Sequence, residues 1–191
     1  MTVIGLAGKA GSGKSTIAER LEKLGIERIS LDEIGHSSLI EAKQEIVCSF
    51  GKRILTCDEV DRKKLSRIVF RDGSLLDRLN QIVHPIIKKK ALEIVERSDS
   101  DLLLIDGALI HEIGLSSYCD KIIWFECADE EAVQRLVNRG ISESQAKSIL
   151  SSQSYLVRNR ELANVVVSTS GSIEETFRTT MEVLFEWGIV V

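Results

Sequence analysis

One stretch near the N-terminus constrains this chain more than any other, because it matches a phosphate-binding template. Residues 8–16 read Gly-Lys-Ala-Gly-Ser-Gly-Lys-Ser-Thr. They fit G-x-x-x-x-G-K-[ST], with Gly8, Gly13, Lys14 and Ser15 at the fixed positions. Backbone N–H groups must turn inward around a polyphosphate, and a Cβ atom would obstruct that turn. The motif predicts that the chain binds a nucleoside triphosphate.

The residues on either side of this loop suit the same function. Residues 3–7 are short and apolar, as in a buried strand, and residues 17–25 have the pattern of an amphipathic helix. The positive N-terminal end of that helix would point at the anion. Lys14 would reach the β- and γ-phosphates, and the Ser15 hydroxyl would join the ligand shell of Mg²⁺. The predicted nucleotide-binding residues of the loop are Gly11, Ser12, Gly13, Lys14, Ser15 and Thr16.

Length and composition exclude several other classes of protein. At 191 residues the chain can form a single domain with an inserted subdomain. The net charge of −4 argues against nucleic acid as the main partner. The four cysteines lack C-x-x-C spacing, so we expect reduced, mostly buried thiols in a cytoplasmic protein. We expect no signal peptide, no membrane span and no membrane partner. The oligomeric state is left open.

Apolar runs alternate with helical patterns, which predicts an α/β fold with a five-stranded parallel sheet. The predicted strands lie at residues 3–7, around Ile29, and at residues 102–105, 122–125 and 165–167.

The interval between the second and third strands is almost entirely helical in pattern. We predict helices at residues 34–50, 61–70 and 74–97, joined by turns at Gly51 and Gly73. Residues 34–98 are far longer than a usual crossover and therefore predict an inserted helical subdomain over the cleft.

Two acidic residues follow predicted strands, where ligands of open α/β sheets bind. Asp32 is expected to end the second strand and to share a cleft with residues 8–14. Its carboxylate could accept a proton from an attacking hydroxyl or bind Mg²⁺ through water; alternatively it is a helix N-cap with Glu33 in the first turn. Asp106 could be a second Mg²⁺-associated carboxylate, or could satisfy a neighbouring loop.

Two arginines, Arg135 and Arg139, are four residues apart and so share one face of a predicted helix. They could clamp phosphate groups, for which the planar guanidinium is well suited. The alternative for Arg135 is a surface pair with Glu131. A further helix is predicted to run from Ser142 past Gln153 towards Arg160. Residues 168–171 could line the adenine pocket with backbone.

Basic residues are frequent in the predicted insertion. They are Arg62, Lys63, Lys64, Arg67, Arg71, Arg78, Lys88, Lys89 and Lys90. Most of them suit a solvated helix face. Arg62 differs because Asp61-Arg62 opens a helix where an anion could dock. The pair His84-Pro85 is expected to interrupt or kink the long helix, and His84 suits packing or capping better than proton transfer.

With these positions identified, the chain resembles the dephospho-coenzyme A kinases over nearly its whole length. Beyond the loop, the motifs that carry the resemblance are Leu24-Gly25-Ile26, Asp32-Glu33-Ile34, Phe50-Gly51, Asp61-Arg62, Ile68-Val69-Phe70, Leu79-Asn80, His84-Pro85, Arg135-Leu136 and Ser170-Gly171-Ser172. The resemblance implies ATP- and Mg²⁺-dependent phosphorylation of the ribose 3′-hydroxyl of dephospho-coenzyme A. It implies a three-layer P-loop kinase fold with a helical acceptor-binding subdomain and a short lid at residues 135–160.

The resemblance also implies roles for individual residues. Asp32 would be the general base, with Lys14 and Arg139 stabilising the transferring group. Arg62 and His84 would contact the acceptor, and Arg135, Arg139 and Thr169 the nucleotide. The chain departs from the family pattern where Ser30 stands in place of an aspartate and Thr169 in place of an asparagine.

Two other functions fit the same loop. One is a kinase for another small hydroxyl acceptor, such as a nucleoside. The other is a noncatalytic ATP-binding regulator.

Overall fold

The computed structural model describes residues 1–70 and 72–190, which fall into two compact units. Residues 1–29 and the chain from Ser98 onward form the first unit, and residues 30–97 form the second. Arg71, one of the basic residues of the predicted insertion, lies outside the described residues. The predicted insertion covers residues 34–98. The second unit starts four residues earlier, at residue 30, and its last residue, 97, is one short of the predicted end.

The strands and the helices of both units are numbered in the order of the chain. The strands are β1 (Thr2–Ala7), β2 (Glu27–Ser30), β3 (Leu55–Thr56), β4 (Glu59–Val60), β5 (Leu102–Asp106), β6 (Lys121–Glu126) and β7 (Val165–Ser168). The helices are α1 (Lys14–Glu22), α2 (Leu31–Glu41), α3 (Lys43–Phe50), α4 (Arg62–Val69), α5 (Gly73–Arg97), α6 (Asp129–Asn138), α7 (Glu143–Ser152) and α8 (Ile173–Glu186).

The sheet of the first unit has the order β2-β5-β1-β6-β7. Strand β1 is central and pairs in parallel with β5 and β6, and β6 pairs in parallel with β7. Leu6 lies opposite Asp106 on β5, and Ala7 lies opposite Trp124 on β6. The predicted five-stranded α/β sheet is therefore confirmed. Its topology places the carboxyl ends of β5 and β6 on either side of the loop that follows β1.

The core of this unit forms because its strands are apolar on both faces, as expected of a parallel sheet. Helices α1 and α8 cover one face, where Ile4, Leu104 and Phe125 are fully buried beside Leu21 and Leu184. A smaller cluster lies between α6 and α7 and consists of Ala132, Leu136, Ala146 and Leu150, with Ala10 and Cys127 packed against it. The loop after β1 is thus attached to both the sheet and the α6–α7 pair.

The start of the second unit corrects the prediction for residues 29–34. Strand β2 ends at Ser30, not at Asp32, and α2 begins at once. The reason is local, since the Ser30 hydroxyl accepts a hydrogen bond from the Glu33 N–H at 3.3 Å and caps the helix. Asp32 and Glu33 then supply negative charge to the first turn. Asp32 is therefore neither a strand residue nor the N-cap.

The rest of this unit is less uniformly helical than predicted. The helix expected over residues 34–50 is divided at Ala42 into α2 and α3. The short hairpin β3–β4 was not predicted; its turn residues, Cys57 and Asp58, have φ values of 48° and 64°. Helix α5 runs for 25 residues with Pro85 inside it, so the predicted interruption at His84-Pro85 does not occur.

In the first unit, the helix predicted to run from Ser142 towards Arg160 is shorter. Helix α7 ends at Ser152, and residues 154–162 continue as a 3₁₀ helix. Over the residues that the structure covers, we find no helix both long and apolar enough to cross a membrane.

Burial predicts which leucines stabilise the first unit. Leu104→Ala removes a fully buried side chain from β5, next to the central strand, and we expect it to lower the free energy of unfolding by about 2–5 kcal/mol. Leu162→Ala is the matched control, because Leu162 is 61% exposed. Urea denaturation measures both variants. Equal stability losses would contradict this description of the core.

Candidate functional site

The loop after β1 is packed so closely that two of its glycines have no room for a side chain. Gly8 has φ 148°, and a Cβ atom there would lie 2.4 Å from the Phe125 carbonyl oxygen. Gly11 has φ 76°, and its Cβ would lie 2.6 Å from the Ala132 carbonyl oxygen. Both are backbone contacts, which cannot be relieved by turning a side chain. The loop conformation therefore depends on glycine at these positions.

Hydrogen bonds attach the same loop to the surrounding helices. The Ser12 N–H donates to the Lys9 carbonyl at 3.2 Å. Lys9 forms an ion pair with Asp129 at the start of α6. The Ala10 N–H donates to Gln153 Oε1 at 2.7 Å. The loop is thus held in a defined conformation by its own chain.

Thr169 lies beside the loop and joins it to β6 and β7. Its hydroxyl donates to the Ser12 carbonyl at 2.8 Å, and its N–H donates to the Glu126 carbonyl at 2.8 Å. Thr169 is itself 4% exposed. A residue that resemblance assigns to nucleotide binding therefore lies against the second half of the loop.

Arg135 on α6 contacts Thr169 and the loop, and not Glu131 on its own helix. Its Nη1 donates to Thr169 Oγ1 at 2.8 Å and its Nη2 to the Thr169 carbonyl at 2.6 Å. Nη1 also donates to the Gly11 carbonyl at 3.3 Å. Glu131, the alternative partner, accepts a hydrogen bond from the Ser170 hydroxyl at 2.8 Å. Arg135 therefore contacts Thr169 and the loop instead of Glu131. Its role as a phosphate clamp stays a prediction.

A cavity of about 350 Å³ adjoins the loop. Its lining includes Lys9, Ala10, Ser12, Phe125, Ser168 and Ser170. The two serines belong to the stretch predicted to line the adenine pocket. Ser12 Oγ is buried and has no hydrogen-bond partner among the residues that the structure describes, so it is available to a ligand.

The end of the loop carries the residues predicted to act on phosphate and metal. Lys14 opens α1 and is 7% exposed, and Ser15 and Thr16 follow in the first turn. Ser15 Oγ donates to Asp106 Oδ1 at 3.3 Å. Asp106 is 3% exposed at the end of β5. The structure therefore brings a predicted metal ligand and a strand-end carboxylate together.

Arg28 completes this cluster, although it was not singled out from the sequence. Its Nη2 donates to Asp106 Oδ2 at 2.6 Å, and its Nη1 donates to Glu22 Oε2 at 3.3 Å. Burial opposes the charged guanidinium, but the hydrogen bonds and charges of Asp106 and Glu22 outweigh it and raise the pKa of Arg28. A lone arginine in a four-residue edge strand matches no motif. Only its position beside β5 identifies it.

The donor set at Ser15 suits Mg²⁺, which prefers oxygen ligands and is commonly bound by one or two carboxylates together with substrate phosphates. Within residues 1–70 and 72–190, no group of three or more His, Cys, Asp or Glu side chains could hold a metal ion by itself.

Arg139, the second predicted clamp residue, is the C-cap residue of α6 and is exposed. It does not share the buried junction that Arg135 makes with Thr169.

The second unit contains the residues that resemblance assigns to the acceptor. Asp32 is exposed in the first turn of α2, and His36 lies one turn further on. Arg62 Nη1 lies 3.3 Å from His36 Nδ1. Partial burial and the charge of Arg62 lower the pKa of His36, against the opposing effect of the carboxylates of Asp32 and Glu33. His36 was not a predicted site residue; its i+4 spacing from Asp32 is the signal that could have identified it.

The predicted anion site at the start of α4 is changed by Asp61. The Asp61 carboxylate accepts hydrogen bonds from the Lys63 and Lys64 N–H groups at 2.9 and 3.1 Å, so these donors are already occupied. An anion here would bind through the Arg62 side chain. His84 is half-buried on α5, and its contact with the acceptor stays a prediction.

Comparisons with known proteins identify the family of the chain. The family model described as dephospho-CoA kinase matches residues 2–175. A dephospho-CoA kinase from Geobacillus kaustophilus is 35% identical over 192 residues, covering 96% of each chain. A crystal structure from Thermus thermophilus superposes with a TM-score of 0.80 at 28% identity over 97% of each chain. A dephospho-CoA kinase structure from Campylobacter jejuni gives 0.67 at 25% identity over 96% of each. The chain belongs to the dephospho-CoA kinase family.

Proposed function

We propose that this chain transfers the γ-phosphoryl group of ATP to the ribose 3′-hydroxyl of dephospho-CoA, giving CoA. The observation that carries the proposal is the extent of the family match, because residues 2–175 include both compact units. The similarity therefore covers the nucleotide loop and also the residues assigned to the acceptor. A match confined to the loop would support ATP binding alone.

At the nucleotide end, the loop from Gly8 to Ser15 would bind the β- and γ-phosphates through its backbone N–H groups, with Lys14 compensating their charge. Arg135 and Thr169 would keep the loop in position, and residues 168–171 would lie beside the adenine. Phosphoryl transfer depends mainly on positioning and charge stabilisation, so a loop that is already rigid reduces the cost of binding.

Mg²⁺ would bind through the Ser15 hydroxyl, with Asp106 accepting hydrogen bonds from its water shell. When bound, it would supply positive charge to the β- and γ-phosphate oxygens.

At the acceptor end, Asp32 would orient the 3′-hydroxyl and accept its proton. Its exposure in the first turn of α2 supports this role, since a buried carboxylate could not reach a substrate. Arg62 would bind the diphosphate of the acceptor, for which a guanidinium is well shaped. His84 would add a further acceptor contact. Arg139 would approach the transferring phosphoryl group as part of a lid at residues 135–160.

A cytoplasmic location belongs to the same proposal. Cys48 and Cys57 are free thiols on the surface, and Cys119 and Cys127 are half-buried, so the prediction of mostly buried thiols is wrong. Exposed free thiols suit a reducing compartment.

The role of Asp32 predicts a large and selective loss of turnover. Asp32→Asn removes the proton acceptor, so dephospho-CoA-dependent ADP release should fall on the order of 10²–10⁴-fold. ATP affinity should change little. Glu33→Gln is the matched control, because Glu33 is an exposed acid in the same first turn. Near-full turnover in Asp32→Asn, or an equal loss in Glu33→Gln, would exclude Asp32 as the base.

The packing of the loop predicts a difference between two glycine substitutions. Gly11→Ala and Gly25→Ala both place a side chain at positive φ, 76° and 94°, but a Cβ at Gly25 would have open space around it. Gly25→Ala should cost about 1–2 kcal/mol of stability with normal ATP kinetics. Gly11→Ala must also displace the loop from Ala132, and kcat/KM for ATP should fall on the order of 10²-fold. An equal fall of kcat/KM for ATP in the two variants would contradict this prediction, because backbone strain at positive φ would then explain both.

The partial burial of His36 and, after it, the charge of Arg62 predict a pH dependence of stability. The pKa of His36 is lower in the folded chain than its ordinary value of 6.5. The unfolded chain therefore binds more protons between these two values, and the free energy of unfolding falls as the pH decreases through that window. His36→Gln removes this contribution, so the variant should lose less stability on acidification from pH 7 to pH 5. Urea titrations at both pH values measure this, and an identical loss in the two proteins would contradict the prediction.

A further inference from the structure

The ion pair between Arg28 and Asp106 is unusual because both side chains are buried. Arg28 is 9% exposed and Asp106 3% exposed, and Nη2 lies 2.6 Å from Oδ2. Removing two charges from water costs about as much free energy as their attraction returns, so a buried pair contributes little net stability. Stability alone therefore gives no reason for an arginine at this position in β2.

The two oxygens of Asp106 have different partners. Oδ2 accepts from Arg28 at 2.6 Å, and Oδ1 accepts from the Ser15 hydroxyl at 3.3 Å. A carboxylate bound at one oxygen by a rigid guanidinium cannot rotate freely. The contact with Arg28 therefore determines which oxygen faces Ser15.

Arg28 is itself anchored at a second point. Its Nη1 donates to Glu22 Oε2 at 3.3 Å, at the end of α1. Ser15 stands at the opposite end of the same helix. The guanidinium is thus fixed between α1 and β5, and its position relative to the Ser15 hydroxyl is defined.

We propose that Arg28 is a positioning residue for the Mg²⁺·ATP site: it holds Asp106 so that Oδ1 faces the Ser15 hydroxyl and the water shell of the metal. The proposal rests on the nucleotide end of the proposed function. It assigns to Arg28 an effect on metal affinity that acts through Asp106. Groups that hydrogen-bond to and orient the residues around a metal change its affinity by about 10–100-fold when removed.

The test measures Mg²⁺ binding to the protein–ATP complex, with no acceptor present. Isothermal titration calorimetry gives the apparent Mg²⁺ affinity of the wild type and of Arg28→Met, Arg28→Lys, Asp106→Asn and the double variant Arg28→Met/Asp106→Asn. Arg28→Met should bind Mg²⁺ about 10–100-fold more weakly. Arg28→Lys should be intermediate, because lysine keeps the charge and loses the planar fork. The double variant should be no weaker than Asp106→Asn, since Arg28 acts through that residue.

Arg20→Met is the control, because Arg20 pairs with Glu174 at 2.7 Å at a more exposed position of α1. It should leave Mg²⁺ affinity unchanged. Normal Mg²⁺ affinity in Arg28→Met with only a lower melting temperature would show that the pair is purely structural and would overturn the proposal. Additive losses in the double variant would also overturn it. If Arg28→Met does not fold, wild-type Mg²⁺ affinity in Arg28→Lys would overturn it equally.

These measurements are independent of the acceptor. Loss of Mg²⁺ affinity in Arg28→Met together with no activity on dephospho-CoA would refute the proposed function and leave the role of Arg28 standing. Full activity on dephospho-CoA together with unchanged Mg²⁺ affinity in Arg28→Met would refute the role of Arg28 and leave the proposed function standing.

Discussion

The phosphate-binding loop packs directly against the backbones of β6 and α6, and the arrangement of the first unit follows from this contact. Carbonyl oxygens of Phe125 and Ala132 occupy the space where side chains of Gly8 and Gly11 would lie. The loop can keep this conformation only if β6 and α6 are placed against it. The sheet order achieves this, because β1 lies between β5 and β6 and its loop emerges between their carboxyl ends. The same order places Asp106 beside Ser15.

Much of the first unit could be predicted because its signals are local. The loop template, the apolar strands and the amphipathic helices each occupy one short stretch, and each is recognised without knowing its neighbours. The contacts of Arg135 and Arg28 are different. The spacing of Arg135 suited a ligand phosphate and Glu131 equally well, whereas its observed bond to Thr169 joins residues 34 positions apart. The partner of Arg28 is 78 positions away. Only the topology decides such pairs.

The wrong predictions of secondary structure in the second unit have local physical causes, which the hydrophobic pattern of the sequence did not reveal. Apolar residues at Ile29, Leu31 and Ile34 suit a strand, but the Ser30 cap starts a helix after Ser30. The hairpin β3–β4 has strands of two residues each, too short for an alternating pattern to be recognised. Pro85 was expected to break α5, whereas the helix continues through it. The acceptor residues Asp32, Arg62 and His84 were assigned by family resemblance, and their roles stay proposals.

Identification of the phosphorylated product is the decisive experiment for the proposed kinase activity. The wild-type enzyme would be incubated with ATP, Mg²⁺ and dephospho-CoA, and in parallel with a nucleoside and with no acceptor. ADP release and ³¹P NMR of the product would then be compared. We expect ADP release to depend on dephospho-CoA and the new phosphate to be on the ribose 3′-oxygen. ATP binding without acceptor-stimulated ADP release, or a preference for the nucleoside, would contradict it.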